Sequence, residues 1–167
     1  MTWSIVARDP NGALGVVVAS RFFAVGALCP YAHSGVGALS TQALLNPLYG
    51  PRGLALLSQG MAPTEVVRAL LADDGGREHR QFHLVDAEGN VAAHTGIQCL
   101  EWSGQLAGDG FSVAGNMLAG PQVLEDTTQV YDAARDLPFA ERLIAAMIAG
   151  EAAGGDKRGK QAVALLI

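Results

Sequence analysis

The sequence is short of charge, of cysteine and of long apolar runs, and each shortage narrows what the chain can do. Charged residues are 16% of the total and sum to −5, with Lys and Arg scattered apart from Lys157, Arg158 and Lys160. A nucleic-acid surface needs a basic stripe, and none is visible, so no nucleic-acid partner is expected. The two cysteines, Cys29 and Cys99, form neither a CxxC pair nor a disulfide framework. Both read as small buried hydrophobes with reduced thiols. No run approaches the roughly 18 apolar residues of a membrane span. The start, Met1 to Asp9, lacks a basic stretch followed by an apolar one. A cytoplasmic location with no membrane partner is therefore expected. The histidines show no HExxH spacing and no i, i+4 pair on one helix, so no metal and no cofactor are expected.

What is present is apolar mass and glycine. Half of the 167 residues are hydrophobic and 21 are Gly. That suits a single domain spanning 1–167, since two domains would each bury too little apolar surface. Disorder needs the opposite balance. Residues 3–8 and 13–20 read as strands joined by the turn Asp9-Pro10-Asn11-Gly12, where Asn-Gly supplies positive φ at little cost. The second strand is almost wholly apolar and is expected to be buried on both faces. Residues 21–32 read as an irregular connection and 33–41 as a Gly-rich third strand.

Asn46-Pro47 predicts a helix start, with Leu54, Leu57 and Met61 on one face. Pro63-Thr64-Glu65 opens a second helix, ending near Asp73 to Gly76. A hairpin over 80–86 and 90–95 follows, then shorter strands at 98–106 and 110–115. Helices at 119–134 and 138–150 and a last strand at 160–167 complete the order. Hairpin-joined strands alternating with helix pairs favour an α+β fold of largely antiparallel sheets with helices packed outside.

Six stretches in this order resemble one family along essentially the whole chain. They are Met1 to Asp9, Val18 to Phe22, Ser40 to Ala43 leading to Asn46 to Gly53, Ala93 to Gly96, Val113 to Leu118, and Gly154 to Gln161. Together they resemble the domain-of-unknown-function 1028 family. The resemblance implies a four-layer αββα sandwich like that of the amino-terminal-nucleophile (Ntn) hydrolases, in agreement with the element order. Family members continue past the final strand, whereas this chain stops at Ile167. That departure bears on oligomer contacts or on one wall of the cleft.

The resemblance makes Thr2 the sharpest catalytic candidate. In Ntn hydrolases the first residue of the mature chain is Thr, Ser or Cys, and its own α-amine activates its side chain. Such an amine has a pKa near ~7.7–8.0, suited to proton exchange at neutral pH. Thr is small enough for an aminopeptidase to remove Met1; if Met1 stays, Thr2 is an ordinary strand-edge residue. Ser4 faces the same side but has no free amine. Gly115-Asn116 offers the parts of an oxyanion hole, one such donor being worth about 3–4 kcal/mol, or else a plain strand-to-helix turn.

Arg21 is either a buried pair or a clamp for a substrate carboxylate, the reading the resemblance favours. Thr41 and Gln42 end a strand, where groups line a cleft or cap the backbone. His94-Thr95-Gly96 closes another; His94 reads as structural, and Thr95 joins the substrate-binding set. In the loop from Gly154 to Gln161, Arg158 suits an anionic substrate with Asp156 orienting it, or the loop is a solvated turn. Its spacing is not that of a phosphate-binding loop.

Three functions are therefore expected to compete. One is an amidohydrolase cleaving a C–N bond of a small-molecule substrate. The second is a silent αββα module binding a small molecule. The third is a homo-oligomeric scaffold, which the apolar composition and Ala-rich helices make plausible. Fold alone does not separate them.

Overall fold

The turn at Asp9 to Gly12 closes as its residues dictate. Gly12 takes φ +89° and donates its N–H to the Asp9 carbonyl at 2.8 Å, and Asp9 accepts from the Asn11 backbone and side chain. The computed structural model, which describes residues 2–167, pairs β1 (Thr2–Arg8) with β2 (Leu14–Ser20) antiparallel from Thr2↔Ser20 to Arg8↔Leu14. Every residue of β2 is buried.

Seven more strands follow: β3 (Pro30–His33), β4 (Gly37–Ala43), β5 (Arg80–Asp86), β6 (Val91–Thr95), β7 (Trp102–Gly108), β8 (Phe111–Leu118) and β9 (Ala162–Leu166). The helices are α1 (Tyr49–Ser58), α2 (Pro63–Ala72), α3 (Gln122–Ala133) and α4 (Phe139–Ala152). Two all-antiparallel sheets result, one in the order β7-β8-β1-β2-β9 and the other β3-β4-β5-β6.

Strand alternation sorts the apolar residues into layers. On one face of the larger sheet, Trp3, Ile5, Val17 and Val113 pack with Leu124, Leu143 and Met147 of α3 and α4. Leu39, Phe82 and Leu84 of the smaller sheet pack with Tyr49, Leu57, Val66 and Leu70 of α1 and α2, and Leu54 and Met61 join them. Between the sheets, Val6 and Val16 meet Ala38 and Val85.

Three sequence expectations need correction. The segment expected to be irregular contains β3, and the expected third strand is split by a turn after His33. Pro30, Tyr31 and Ala32 lack a strong strand signal and extend only because β4 offers an edge. The helix expected from Asn46 begins at Tyr49; Asn46 caps from further out, its Oδ1 accepting the Leu48 N–H at 3.1 Å. Cys99 is only half-buried.

Gly150 lets α3 and α4 meet. A Cβ there would lie 2.2 Å from the Thr127 hydroxyl and 3.1 Å from the Val123 carbonyl. Helix propensity alone favours Ala by about 1 kcal/mol, but this contact reverses the sign. Gly150→Ala is expected to destabilise by about 1–3 kcal/mol in urea unfolding. An unchanged midpoint would mean the helices separate freely. No helix is long and apolar enough to cross a membrane.

Candidate functional site

Thr2 opens β1, the middle strand of the five-stranded sheet, and lies opposite Ser20 on one side and Asn116 on the other. Opposite residues of an antiparallel pair point to the same face. The face is the inner one, towards the second sheet. Thr2 is buried, and its Oγ1 lies 2.9 Å from Ser20 Oγ. The two hydroxyls, with Gln42, Arg21, Cys29 and Arg158, line a cavity of about 140 Å³. Burial pushes the Cys29 thiol up to about 12, so it is neutral.

The loop from Gly154 to Gln161 passes over the end of β1. At one side Asp156 bridges to Leu118 of β8, and Ala119 N–H reaches the Gly155 carbonyl. At the other, Gln161 N–H donates to the Ser20 carbonyl at the end of β2. The Asp156 carboxylate is buried and fully used. Its Oδ1 takes the Arg158 N–H at 2.7 Å, and its Oδ2 takes the Arg21 N–H at 3.2 Å. It also holds the Arg158 guanidinium at 3.4 Å, while Arg21 NH1 donates to the Arg158 carbonyl at 2.8 Å. One carboxylate thus ties two arginines, far apart in sequence, to the rim above Thr2.

Behind the cavity the sheets are joined by amides and hydroxyls, which sequence reasoning largely missed. Gln42 Nε2 donates to Gln81 Oε1 at 2.8 Å and to the Ala114 carbonyl at 3.1 Å. Gln81 Nε2 shares its two hydrogens among the Gly104 and Gly115 carbonyls and Thr95 Oγ1. Asn116 Nδ2 donates to Gln81 Oε1 at 3.0 Å. Because carbonyls only accept, they fix which way both glutamines face. Gln42 Oε1 therefore receives the single Ser4 proton at 2.7 Å, which leaves His83 Nε2 to donate to Ser4 at 2.8 Å. His83 Nδ1 then accepts from Ser112 at 3.1 Å. The one available signal was alternation: Ser4, Gln42, Gln81 and His83 all fall at inward positions of otherwise apolar strands.

Burial pushes His83 down to about 3, so the ring is neutral in the native protein. An unfolded His titrates near 6.5. Between those values the unfolded chain holds a proton that the native chain refuses. Native stability is therefore complete above about pH 6.5 and falls as pH drops, by up to about 1.4 kcal/mol per unit from this group. Urea unfolding between pH 4.5 and 7 is expected to show that slope, and His83→Gln to flatten it. Parallel slopes would count against the assignment.

Two strained residues adjoin the amides. Ala43, after Gln42, has φ +66°, and Met117, after Asn116, has φ +56°. Met117 is the extra residue where the β7–β8 register shifts, since Trp102 faces Leu118 and Ser103 faces Asn116. Bulges and left-handed non-glycine residues cost about 1–3 kcal/mol and cluster where a side chain must be aimed. Both residues line a second cavity, of about 290 Å³, with Leu44, Leu100, Cys99 and Asn116. Arg80 steadies the segment after Ala43: it donates to the Leu44 carbonyl and, at 2.9 Å, to Asp74, which Tyr49 also donates to at 2.6 Å. The Arg80 guanidinium holds the Asp74 carboxyl well below the usual range.

The structure thus brings together Thr2, Arg21, Gln42, Asn116, Asp156 and Arg158. It takes Thr41 and Thr95 elsewhere. Thr41 alternates with Gln42 and turns to the helix side, donating to the Asn46 carbonyl at 3.4 Å. Thr95 is spent behind the site on Gln81 and Gln105. Neither lines a cavity beside Thr2. His94 bonds the Arg77 carbonyl and packs on Phe82. Among the described residues, no three His, Cys, Asp or Glu side chains converge as metal ligands would.

The model of a family of unknown function, DUF1028, matches residues 2–167. The crystal structure of protein SPO2555 from Silicibacter pomeroyi, of the same family, superposes with a TM-score of 0.93 at 34% identity, over 99% of this chain and 72% of that one. Anbu (ancestral beta-subunit) from Yersinia bercovieri superposes at a TM-score of only 0.36 and 14% identity, over 88% of this chain and 71% of that one. That likeness carries no weight. No curated protein matches.

Proposed function

We propose that the chain, which belongs to the family of unknown function DUF1028, hydrolyses an amide bond of a small substrate with Thr2 as nucleophile, in the manner of the Ntn hydrolases. The observation that carries the reading is the position of Thr2. A hydroxyl at the first residue of a central strand sits buried in a cavity rimmed by two arginines and next to a side-chain amide.

Removal of Met1 by an aminopeptidase frees the Thr2 amine. Thr2 Oγ1 then attacks the substrate carbonyl carbon and its proton passes to that amine. The negative charge gathers on the carbonyl oxygen, where the Asn116 amide donates. As the carbon–nitrogen bond breaks, the ammonium returns its proton to the departing nitrogen and a threonyl ester remains. Water attacks the ester, again giving a proton to the amine; the carboxylic acid leaves and Thr2 Oγ1 is reprotonated. Ser20, 2.9 Å from Thr2 Oγ1, orients the hydroxyl.

The test is reaction of the native protein with an electrophilic amide analogue, followed by intact mass and peptide mapping. The expected result is a chain lacking Met1 and carrying one adduct on Thr2. A protein that retains Met1 and takes no label would instead support the small-molecule-binding module.

A further inference from the structure

The two cavities that flank the Thr2–Asn116 pair differ in character, and both reach Ala43, which lines each of them. From this we infer that the site is two-chambered and takes an N-acyl amino acid: an apolar acyl group joined through an amide to a small amine that bears one carboxylate. The inference rests on the amide-hydrolase reading and adds the substrate class to it.

The smaller chamber is polar and cationic. Arg21 and Arg158 stand over it against the single carboxylate of Asp156, leaving one net positive charge (two guanidiniums less one carboxylate). Both Asp156 oxygens are occupied, so it repels an anion least where the arginines project. Among the described residues, Arg158 NH1 and Arg21 Nε and NH2 have no protein partner. A carboxylate is the group whose geometry fits such a pair of forks. Lys157 adds nothing, being held by Glu101 at 3.0 Å.

The larger chamber is mostly apolar. Leu44, Leu100 and Met117 line it beside the polar His79 and Gln98, and its thiol, Cys99, is kept neutral by burial. Leu44 and Leu100 are 62% and 65% exposed, an arrangement that gains from covering by an apolar ligand. The strained backbone at Met117 shapes this chamber alone, and that at Ala43 lies where the two chambers meet.

Polarity of binding follows from Asn116. Its Nδ2 gives one hydrogen to Gln81 and has a second to donate, and the residue lines the larger chamber. The carbonyl under attack must face it, so the acyl half lies in the larger chamber and the amine half in the smaller. Size agrees. With about 30 Å³ per water, 140 Å³ holds about four or five non-hydrogen atoms, the size of glycine, and 290 Å³ about nine or ten, enough for a benzoyl group.

N-benzoylglycine is therefore the probe, with N-methylbenzamide and free glycine as its two halves. Binding is measured by calorimetry on full-length Thr2→Ala protein, which cannot turn the ligand over. N-benzoylglycine is expected to bind at least tenfold more tightly than either half. Arg158→Gln should cost N-benzoylglycine about tenfold and leave N-methylbenzamide unchanged, whereas Lys157→Gln changes neither. Leu100→Asp should weaken both benzoyl ligands. Equal affinity for N-benzoylglycine and N-methylbenzamide, or no binding of either, overturns the inference. Hydrolysis by the wild-type protein is followed alongside. Bipartite binding without hydrolysis keeps the two chambers and removes the hydrolase reading. Hydrolysis that ignores the carboxylate keeps the hydrolase and removes the chambers.

Discussion

Thr2→Ala is expected to abolish both turnover and labelling by an electrophilic amide, a loss on the order of 10⁴-fold or more, as when a covalent nucleophile is deleted. The substitution separates chemistry from folding. Alanine is small enough to permit the same trimming of Met1, so the amine is still released. The lost contact is one hydrogen bond to Ser20, worth about 1 kcal/mol, and melting should shift by only a few degrees. Thr2→Ser keeps hydroxyl and amine together and is expected to retain measurable activity. Mass spectrometry of the labelled proteins decides it. Wild-type levels of label on Thr2→Ala would place the nucleophile elsewhere.

Gln81→Leu is expected to cause the largest loss of stability of any single change considered, about 3–5 kcal/mol. The side chain is fully buried: its two amide hydrogens are shared among three acceptors, and its oxygen receives two hydrogen bonds. Leucine fills the volume but abandons the Gly104 and Gly115 carbonyls, the Thr95 hydroxyl and the amides of Gln42 and Asn116 at once. Each buried group left without a partner costs about 1–3 kcal/mol, reduced where neighbours relax. Urea unfolding with an unchanged m-value would report the loss. A cost below about 1 kcal/mol would mean that water enters between the sheets and takes over these bonds. Asn116 also loses the acceptor that sets its orientation, so residual activity should fall further than stability predicts.

Much of the architecture was legible because local signals agreed with the final packing. The Asn11-Gly12 turn, the wholly apolar β2, Pro63 at the start of α2, and the β5–β6 hairpin each stand where their residues point. β3 was not legible: a strand of four residues with Pro at its start has its extended form imposed by its neighbour. Within the site, Thr2, Arg21, Gln42, Asn116, Asp156 and Arg158 were singled out one by one, but nothing in the chain order says that Asp156 reaches Arg21. That join depends on β9 returning to pair with β2. Thr41 was misjudged for a simple reason. Neighbouring residues of a strand face opposite ways, so Thr41 and Gln42 could not both enter one cleft. The buried amide bridge escaped notice because glutamine and histidine in a strand look like solvent-facing residues until a second sheet is placed over them.

The crossing loop has a bearing on how the protein is made. The Arg21 and Asp156 groups that meet above Thr2 lie 135 positions apart along the chain. A ribosome therefore delivers the nucleophile and the first hairpin long before the carboxylate that braces the rim. Until β9 docks against β2, a nascent chain holds a hydroxyl with no anchored arginine above it. An aminopeptidase acting at that stage would meet Met1 before the loop closes. Trimming and assembly would then be ordered in time, with the reactive amine exposed first and its specificity completed last.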